Sequence, residues 1–257
     1  MQSIRSVSIA GAGNVATHLG KALLKSGIRI DYCWNRTSEK AEKLANILNA
    51  HVTESIADFG KSDLILCCLS DDALEAYIPQ FSEIKPVAAT SGTVNVLALP
   101  HTNPVSVFYP LQTFSQGRDI SLENVPFFIE SSNPDWENKL SELTRLLSNE
   151  VHRLSWEKRQ HLHVAAVLVN NFTNHLADIA QRHLQEQHLP FEWLLPLLEE
   201  TVAKLNVQSA FDAQTGPAKR NDSTTIQRHL ELLNGKDAEV YKVLTSSISE
   251  RYHHDKL

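Results

Sequence analysis

The sequence predicts an α/β fold followed by an all-helical region, and three observations support this prediction. From residue 4 to about residue 155, short apolar runs alternate with amphipathic stretches of helix length, which is the pattern of a parallel sheet covered by helices on both faces. The first apolar run leads directly into a glycine-containing turn. From Trp156 onward the alternation stops and only helical periodicity is left. We therefore expect two domains, at residues 1–155 and 156–257.

The elements of the first domain follow from apolar periodicity and from the turn residues between them. The predicted strands are Ser6–Ala10, Arg29–Trp34, His51–Val52, Leu64–Leu69, Val87–Thr90, Val105–Phe108, Phe127–Glu130 and Val151–Leu154. The predicted helices are Asn14–Lys25, Ser38–Asn49, Asp72–Phe81, Val94–Leu97 and Pro134–Ser148. Asp71 or Asp72 is expected to cap the helix after the fourth strand.

The second domain begins with a predicted helix over Trp156–His188. Its apolar run Val164–Val169 is too short to span a membrane and too apolar for a surface helix, which predicts a core helix. In the next helical stretch, Phe191–Asn206, Pro196 forces a break or a restart. After a glycine-containing loop, the last helices are predicted at Ser223–Leu233 and Asp237–Arg251.

The turn after the first strand has the sequence GAGNVA, a G-x-G-x-x-A pattern at residues 11–16 that opens a helix. Such a turn is typical of dinucleotide binding. Gly11 permits the tight turn, Gly13 has no Cβ to hold a pyrophosphate away from the main chain, and Ala16 lets the helix pack close to the strand. The N–H groups at the positive end of the helix would face the phosphates. The first of these groups belong to Asn14 and Val15.

The end of the second strand lies about 20 residues after the glycines, where a fold of this type recognises the ribose. No acidic residue stands there, and the sequence is Asn35-Arg36-Thr37-Ser38. An acidic side chain would repel a 2′-phosphate, whereas a guanidinium with amide and hydroxyl donors beside it can bind one. We therefore predict NADP(H) as the cofactor, with Asn35, Arg36 and Thr37 at its 2′-phosphate. The alternative is an ordinary loop in which Thr37 or Ser38 caps the next helix.

The ends of the other strands are expected to complete the cofactor site, because the carboxyl ends of parallel strands line the ligand crevice of an open sheet. Ser70 follows the fourth strand. Ser91 and Gly92 follow the fifth strand, where the nicotinamide end of the cofactor would pass. Tyr109 and Gln112 follow the sixth strand and could form a wall of the substrate pocket.

Three later motifs carry a resemblance to a known family: FYPLQTFS at residues 108–115, HLHVAAVLVNNF at residues 161–172 and TGPAKRND at residues 215–222. In this order they resemble the proteins that join a Rossmann-like domain to a C-terminal domain of unknown function 2520, which are described as NADP oxidoreductases. More broadly, the chain resembles the superfamily of pyrroline-5-carboxylate reductase, ketopantoate reductase and the β-hydroxyacid dehydrogenases. The resemblance covers nearly the whole chain and implies a Rossmann-type NADP(H)-binding domain, oxidoreductase activity and a homodimer.

One feature of the enzyme relatives has no match in this chain. The catalytic Lys-x-x-x-Asn of the β-hydroxyacid dehydrogenases is not found in the apolar helix. Lys158 lies too far upstream, and His161 and His163 occupy the region where that lysine would be expected. A mechanism based on lysine is therefore not indicated.

The apolar helix of the second domain carries polar side chains that are candidates for catalysis. At 100° per residue, His163, Asn170 and Asn174 fall on one line of an α-helix. Buried polar groups need hydrogen-bond partners, so we predict that this line faces the cofactor cleft. A histidine there can donate a proton to the oxygen or nitrogen that gains charge as hydride adds, and an amide can orient that atom. His161 is the competing candidate, and contacts with loop backbone or another subunit are the structural alternative.

A second polar cluster surrounds Gly216 and Pro217, which form a rigid turn. Arg220 could bind a substrate carboxylate or a cofactor phosphate. The alternative is a helix connector with Asp222 as its N-cap. No metal site is expected, because His161 and His163 are two residues apart on a helix and point away from each other.

Composition limits the class of protein further. A net charge of −6 without basic runs argues against binding to nucleic acid or to an acidic membrane surface. The chain enters its first strand without room for a signal peptide, and no apolar run approaches the length of a membrane span, so we expect a cytoplasmic protein. Cys33, Cys67 and Cys68 form no Cys-x-x-Cys pattern and are expected to be small buried side chains.

Taken together, the sequence predicts a homodimeric enzyme that uses NADP(H) to transfer hydride to or from a small carbonyl- or imine-type substrate. Two alternatives stay open. One is an NADP(H)-binding sensor or regulatory protein without turnover, which the missing lysine makes credible. The other is a reductase that exchanges hydride between NADP and coenzyme F420.

Overall fold

The computed structural model describes residues 3–253, and all structural statements refer to these residues. The chain forms two compact units, Met1–Asn171 and Phe172–Leu257. The first unit is thus longer than the predicted first domain, because the helix that starts at Trp156 packs with the sheet. A functional division at residue 155 stays a prediction.

The first unit is built on one eight-stranded sheet. Its strands are β1 (Ser6–Ala10), β2 (Arg29–Trp34), β3 (His51–Val52), β4 (Leu64–Cys67), β5 (Val87–Ala89), β6 (Val105–Pro110), β7 (Phe127–Ser131) and β8 (Val151–Arg153). They lie in the order β3-β2-β1-β4-β5-β6-β7-β8. Strands β1 to β6 are parallel, so their carboxyl ends meet at one edge of the sheet. All eight predicted strands are present, with ends that differ by at most two residues.

The prediction of a parallel sheet is wrong for its last two strands. β7 pairs antiparallel with β6, from Ser106 opposite Ser131 to Pro110 opposite Phe127, and β8 is parallel to β7. Residues 111–126 connect β6 to β7 without a helix. A parallel partner normally needs a crossover helix, whereas an antiparallel partner can be reached from the same edge of the sheet.

Helices cover both faces of this sheet. They are α1 (Asn14–Lys25), α2 (Ser38–Leu48), α3 (Asp71–Ile84), α4 (Pro134–Arg145) and α5 (Trp156–Ala166), with short 3-10 helices at Ile56–Lys61 and Val96–Ala98. Alternate residues of the strands enter two separate core clusters, as the pleat requires. Ile9 and Phe108 pack with α1, α2 and α4, while Ile65 and Val107 pack with α3. The sequence predicted each of these elements except Ile56–Lys61.

The second unit is helical. Its elements are α6 (Thr173–Glu186), a 3-10 helix at Phe191–Leu194, α7 (Leu195–Lys204), α8 (Ala210–Ala213), α9 (Ser223–Leu232) and α10 (Gly235–His253). Pro196 lies in the first turn of α7, which confirms a restart at this position. The carboxylate of Asp222 accepts a hydrogen bond from the backbone N–H of Thr225 at 3.0 Å, which confirms the N-cap interpretation of that residue. None of the described helices combines the length and the apolar character that crossing a membrane requires.

The predicted continuous helix over Trp156–His188 differs from the structure in two ways. A π-helical segment, Val167–Phe172, separates α5 from α6. The apolar run is also not buried within the single chain, since Val164 is 60% exposed and Val169 is 74% exposed. The prediction of a core helix is therefore wrong for the isolated chain, in which neither of these side chains is covered.

Candidate functional site

The turn after β1 leaves no room for a side chain at Gly11. This residue has a φ of +105°, and a Cβ on it would lie 2.2 Å from the carbonyl oxygen of Cys68 at the end of β4. Its N–H donates to the carbonyl of Trp34 at 2.8 Å. Only glycine combines this backbone conformation with so close an approach. The turn thus lies directly on the carboxyl edge of the sheet.

Gly13 has the opposite environment, because a Cβ on it would meet nothing within 4 Å. It is the N-cap residue of α1, with no side chain bonded to the helix start and no acidic residue in the first turn. The N–H groups of Asn14 and Val15 lie at the positive end of the helix dipole and have no hydrogen-bond partner among the described residues. These features fit a pyrophosphate group. The side-chain amide of Asn14 is already engaged, donating to the carbonyl of Phe114 at 2.9 Å.

The segment after β2 is open as well. Arg36 and Thr37 are exposed, and Arg36 forms no ion pair with any described residue. The amide of Asn35 donates to the carbonyl of Thr37 at 3.1 Å. Thr37 is the N-cap residue of α2, yet its side chain makes no capping hydrogen bond. The capping alternative thus lacks its hydrogen bond, and the guanidinium is free to meet a phosphate.

The start of α3 differs from the prediction. Ser70, which is exposed, occupies the N-cap position, and no side chain caps the helix. Asp71 accepts hydrogen bonds from the hydroxyls of Ser91, at 2.9 Å, and of Thr93. The expectation that Asp71 or Asp72 caps α3 is therefore wrong, because neither carboxylate bonds to the helix start.

The segment Ser91–Val94 after β5 is held by its own hydrogen bonds. The hydroxyl oxygen of Ser91, a buried residue, accepts from the backbone N–H groups of Thr93 and Val94, each at 3.1 Å. The same hydroxyl donates to Asp71. The side chain of Ser91 is thus occupied by the loop, and a contact between this residue and the cofactor stays a prediction.

Gly92 marks the place where this loop meets the candidate catalytic histidine. A Cβ on Gly92 would lie 2.7 Å from Nδ1 of His163 and 2.9 Å from Cζ of Tyr109. Nδ1 of His163 lies 3.1 Å from the phenolic oxygen of Tyr109, within hydrogen-bonding distance. The structure therefore brings together one residue from the end of β5, one from β6 and one from α5. Their meeting point is the edge of the sheet that carries the glycine turn.

Burial affects the pKa of the tyrosine at this contact. Tyr109 is buried, and burial raises its pKa above 10, while the nearby charge of Arg159 opposes this shift. The phenol consequently keeps its proton throughout the neutral range.

Two further residues of α5, not among those predicted from the sequence, bond to the loop that His163 contacts. Trp156 donates from Nε1 to the carbonyl of Thr93 at 2.9 Å. The guanidinium of Arg159 is fully buried and donates to the carbonyl of Val94 at 3.2 Å and to Glu130 at 2.7 Å. The helical spacing of residues 156, 159 and 163 could have shown that they share one face of α5.

The remaining candidates are distributed more widely. His161 is exposed on α5. Asn170 is exposed in the π-helical segment, where each residue turns the chain by less than 100°, so its α-helical alignment with His163 does not hold. Asn174 and Arg220 belong to the second unit and are also exposed. The roles assigned to these four residues stay predictions.

No cluster of three or more histidine, cysteine, aspartate or glutamate side chains suited to a metal ion occurs between residues 3 and 253. The three cysteines are free, and Cys33 and Cys67 are fully buried. Burial raises the pKa of both Cys33 and Cys68 to about 12, so these thiols are unreactive at neutral pH.

Two family models match the chain. Residues 125–248 match the domain of unknown function DUF2520, and residues 6–98 match the model described as NADP oxidoreductase, coenzyme F420-dependent. Among curated proteins, glutamyl-tRNA reductase of Methanocella arvoryzae is 36% identical over 66 residues. That match covers 24% of this chain and only 16% of that protein.

Solved structures extend the comparison to the whole chain. A candidate NADP oxidoreductase from Bacteroides fragilis is 36% identical, with a TM-score of 0.89 over 96% of this chain and 98% of its own. An imine reductase from Myxococcus stipitatus in complex with NADP+ is 17% identical, with a TM-score of 0.65 over 97% and 93% of the two chains. A reductive aminase from Aspergillus terreus in complex with NADPH and ethyl-5-oxohexanoate is 17% identical, with a TM-score of 0.70 over 97% and 95%. These last two share the fold.

The Rossmann-like first region, the helical second region and the resemblance based on three motifs are all confirmed, and the predicted cofactor NADP(H) is the one that characterises the matched proteins. The protein belongs to the family of NADP oxidoreductases that join a Rossmann-like region to a DUF2520 domain.

Proposed function

We propose that this protein is an NADP(H)-dependent oxidoreductase that transfers hydride to or from the carbonyl or imine carbon of a small molecule. The observation that carries the proposal is the contact of His163 with Tyr109 against Gly92, at the sheet edge that holds the glycine turn. The reductive aminase and the imine reductase that share the fold support carbonyl and imine groups as the substrate class.

The residues proposed to hold the cofactor follow the carboxyl edge of the sheet. When bound, NADPH supplies the hydride. The pyrophosphate is proposed to lie over Gly11 and Gly13, against the N–H groups at the start of α1. Arg36 is proposed to bind the 2′-phosphate. The other proposed contacts are Asn14, Val15, Asn35, Thr37, Ser70, Ser91 and Gly92.

His163 is proposed to deliver the proton that balances hydride transfer. When the phenol of Tyr109 donates to Nδ1, the imidazole carries its proton on Nε2. That nitrogen can then donate to the substrate oxygen or nitrogen as it gains negative charge. Because burial raises the pKa of Tyr109, its phenol keeps its proton and its hydrogen bond to Nδ1, and the proton given up at Nε2 is replaced from solvent. No lysine is needed for this chemistry.

Other residues are proposed to act on the substrate side. His161 is the second candidate for proton transfer, and Asn170 and Asn174 are candidates for orienting the substrate. Arg220 is a candidate for binding a substrate carboxylate. Their exposure in the single chain leaves each of them accessible to a ligand.

The assembly proposed for this enzyme is a homodimer. Among the described residues of the second unit, only Ala218 is buried. Large apolar side chains such as Trp193, Leu197, Val202 and Val243 are instead open to solvent. Patches of this kind normally mark an interaction surface. The buried free thiols suit a reducing compartment, which supports the cytoplasm as the proposed location.

A substrate panel tests this function. Purified protein is mixed with NADPH and with ketones, keto acids, or ketones plus a primary amine, and consumption of NADPH is followed by its absorbance. For any substrate that is turned over, we expect His163→Ala to lower kcat by about a hundredfold and to leave NADPH affinity nearly unchanged.

His161→Ala tests the second candidate on the same helix and is expected to retain most of the activity; loss of turnover in His161→Ala instead would move the proton-transfer role to His161. Full turnover in His163→Ala would contradict the proposed proton donor. If NADPH binds but no member of the panel is reduced, the sensor alternative is favoured. If only oxidised coenzyme F420 accepts the hydride, the F420-dependent alternative is favoured.

A further inference from the structure

One face of α5 carries three polar side chains at positions i, i+3 and i+7. Trp156, Arg159 and His163 all point to the same region of the sheet edge, as their contacts show. The first two bind the carbonyls of Thr93 and Val94, the two residues that follow Gly92. The third lies against Gly92 itself. This face of α5 therefore contacts the Ser91–Val94 loop along two turns of the helix.

The Ser91–Val94 loop also forms hydrogen bonds with α3. Asp71 accepts from the hydroxyls of Ser91 and Thr93, and the Ser91 hydroxyl accepts from two backbone N–H groups of the loop. The loop thus has fixed partners on α3 and on α5. Any movement of α5 along the sheet edge would break the bonds to Thr93 and Val94 and separate His163 from Tyr109.

Packing alone does not explain an arginine at position 159, because burying its charge has a free-energy cost. Its side chain has no exposed surface, its Nε finds no partner among the described residues, and its charge is balanced by Glu130 on β7. Apolar residues of similar volume often replace a buried ion pair without loss of stability, and here the Glu130 side chain is the partner that keeps some exposure, at 22%. What an apolar side chain could not supply is the directional hydrogen bond to the carbonyl of Val94.

We propose that Arg159 is a positioning residue, which with Trp156 fixes α5 to the Ser91–Val94 loop and so holds the imidazole of His163 at Tyr109 and Gly92. Glu130 serves this role by neutralising and orienting the guanidinium. The inference rests on the proposed function only in that His163 is the group being positioned. The alternative is that the ion pair simply attaches α5 to the sheet.

The position of the imidazole can be measured without cofactor, substrate or turnover. Protein labelled with ¹⁵N in its histidines gives nitrogen signals that respond to the hydrogen bond at Nδ1, and His163→Ala identifies the signals of His163. Tyr109→Phe removes the partner and defines the signals of an unbonded ring. His161, exposed on the same helix, provides the internal control.

The decisive variant combines Arg159→Met with Glu130→Gln, so that no carboxylate is left buried without its partner. We expect a folded protein, by circular dichroism, in which the His163 signals move to those of Tyr109→Phe while those of His161 stay in place. Arg159→Lys, which can keep one of the two hydrogen bonds, should retain part of the original signal. Trp156→Phe, which removes only the bond to Thr93, should shift the signals in the same direction by less, and it provides the test if the double variant does not fold.

Two results would overturn different conclusions. If Tyr109→Phe moves the His163 signals but the folded Arg159 and Trp156 variants leave them unchanged, Arg159 is not a positioning residue and the proposed function is unaffected. If Tyr109→Phe itself leaves the signals unchanged, the contact between His163 and Tyr109 is absent in solution, and the proposed function fails with it.

Discussion

At the scale of single residues, three glycines of the site are required for three different reasons. Gly11 adopts a backbone conformation that other residues avoid, Gly13 leaves space in front of a helix start, and Gly92 allows a loop to touch His163. The sequence pattern predicted the first two, because they belong to one short motif with known spacing. The sequence pattern could not predict why position 92 is a glycine, because the residues that crowd it, Tyr109 and His163, are far away along the chain.

The contrast between Gly11 and Gly13 gives a first prediction. Gly13→Val is expected to leave the protein folded and to abolish NADPH binding, because the added side chain fills the space proposed for the pyrophosphate. Gly11→Ala is expected to destabilise the fold by about 1–3 kcal/mol, because its Cβ would collide with the carbonyl of Cys68. Calorimetric titration with NADPH and thermal unfolding measure the two effects. Unchanged NADPH affinity in a folded Gly13→Val protein would show that the phosphates bind elsewhere.

Cofactor preference gives a second prediction at this scale. NADPH is expected to bind at least about tenfold more tightly than NADH, a difference of about 1.4 kcal/mol. Because the exposed guanidinium of Arg36 is the proposed contact to the 2′-phosphate, Arg36→Ala should remove most of that preference with little effect on NADH. Arg29→Ala, which removes an exposed guanidinium bonded to Asp31, is the matched control and should keep the preference. Equal affinity of the unmodified protein for both cofactors would contradict the assignment.

At the scale of elements, the sequence predicted the positions of the strands along the chain but not the direction of each strand in the sheet. Every strand was predicted within two residues, because each is an apolar run bounded by polar or turn residues. The reversed direction of β7 left no trace in that periodicity. The helical spacing rule was applied forward from His163 to Asn170, into a π-helical segment where it does not hold. Applied backward, the same rule leads to Arg159 and Trp156, but the ion pair that Arg159 forms is with Glu130 on β7, which the helical spacing rule cannot reach.

The buried thiol on β2 gives a prediction about alkaline stability. Burial raises the pKa of Cys33 to about 12, compared with about 9 for a free thiol. The folded state therefore holds this proton more tightly than the unfolded state does. The stabilising effect is complete below about pH 9 and is lost as the pH rises toward about 12, at up to about 1.4 kcal/mol per pH unit.

Urea unfolding at several pH values checks this prediction. The free energy of unfolding should fall less steeply above about pH 9 in Cys33→Ala than in the unmodified protein. Any cost of the smaller side chain is the same at all pH values and shifts the curve without changing its slope. Identical slopes in the two proteins would mean that Cys33 is not shielded from water in solution.

At the scale of the whole molecule, the two units differ in how completely they bury apolar surface. The first has core clusters on both faces of its sheet, whereas the second leaves most of its large apolar side chains exposed. The sequence predicted both the helical character of the second unit and a homodimer. Its prediction of a core position for Val164–Val169 is wrong for the single chain. Apolar composition alone does not tell whether the surface that covers such a run belongs to the same chain.

The dimer is the prediction that belongs to this scale. Light scattering after gel filtration is expected to give twice the mass of one chain. Leu197→Lys or Val243→Lys should shift the protein toward monomer or aggregate, because the substitution places a charge in the proposed interface. Ile47→Lys, on the exposed side of α2 in the first unit, is the matched control and should leave the mass unchanged. A monodisperse monomer of the unmodified protein would contradict the dimer.

The antiparallel direction of β7 places both ends of the connection formed by residues 111–126 at one edge of the sheet. Because β6 ends and β7 begins at the same edge, residues 111–126 stay beside the start of α1, where Asn14 and His18 bind the carbonyls of Phe114 and Arg118. Because the pairing of β6 with β7 lies outside this connection, we expect a residue inserted at the exposed Gly117 to leave that pairing unchanged. At the rim of the proposed dinucleotide site, this segment is therefore where we expect access to the site to be alterable while the sheet stays intact.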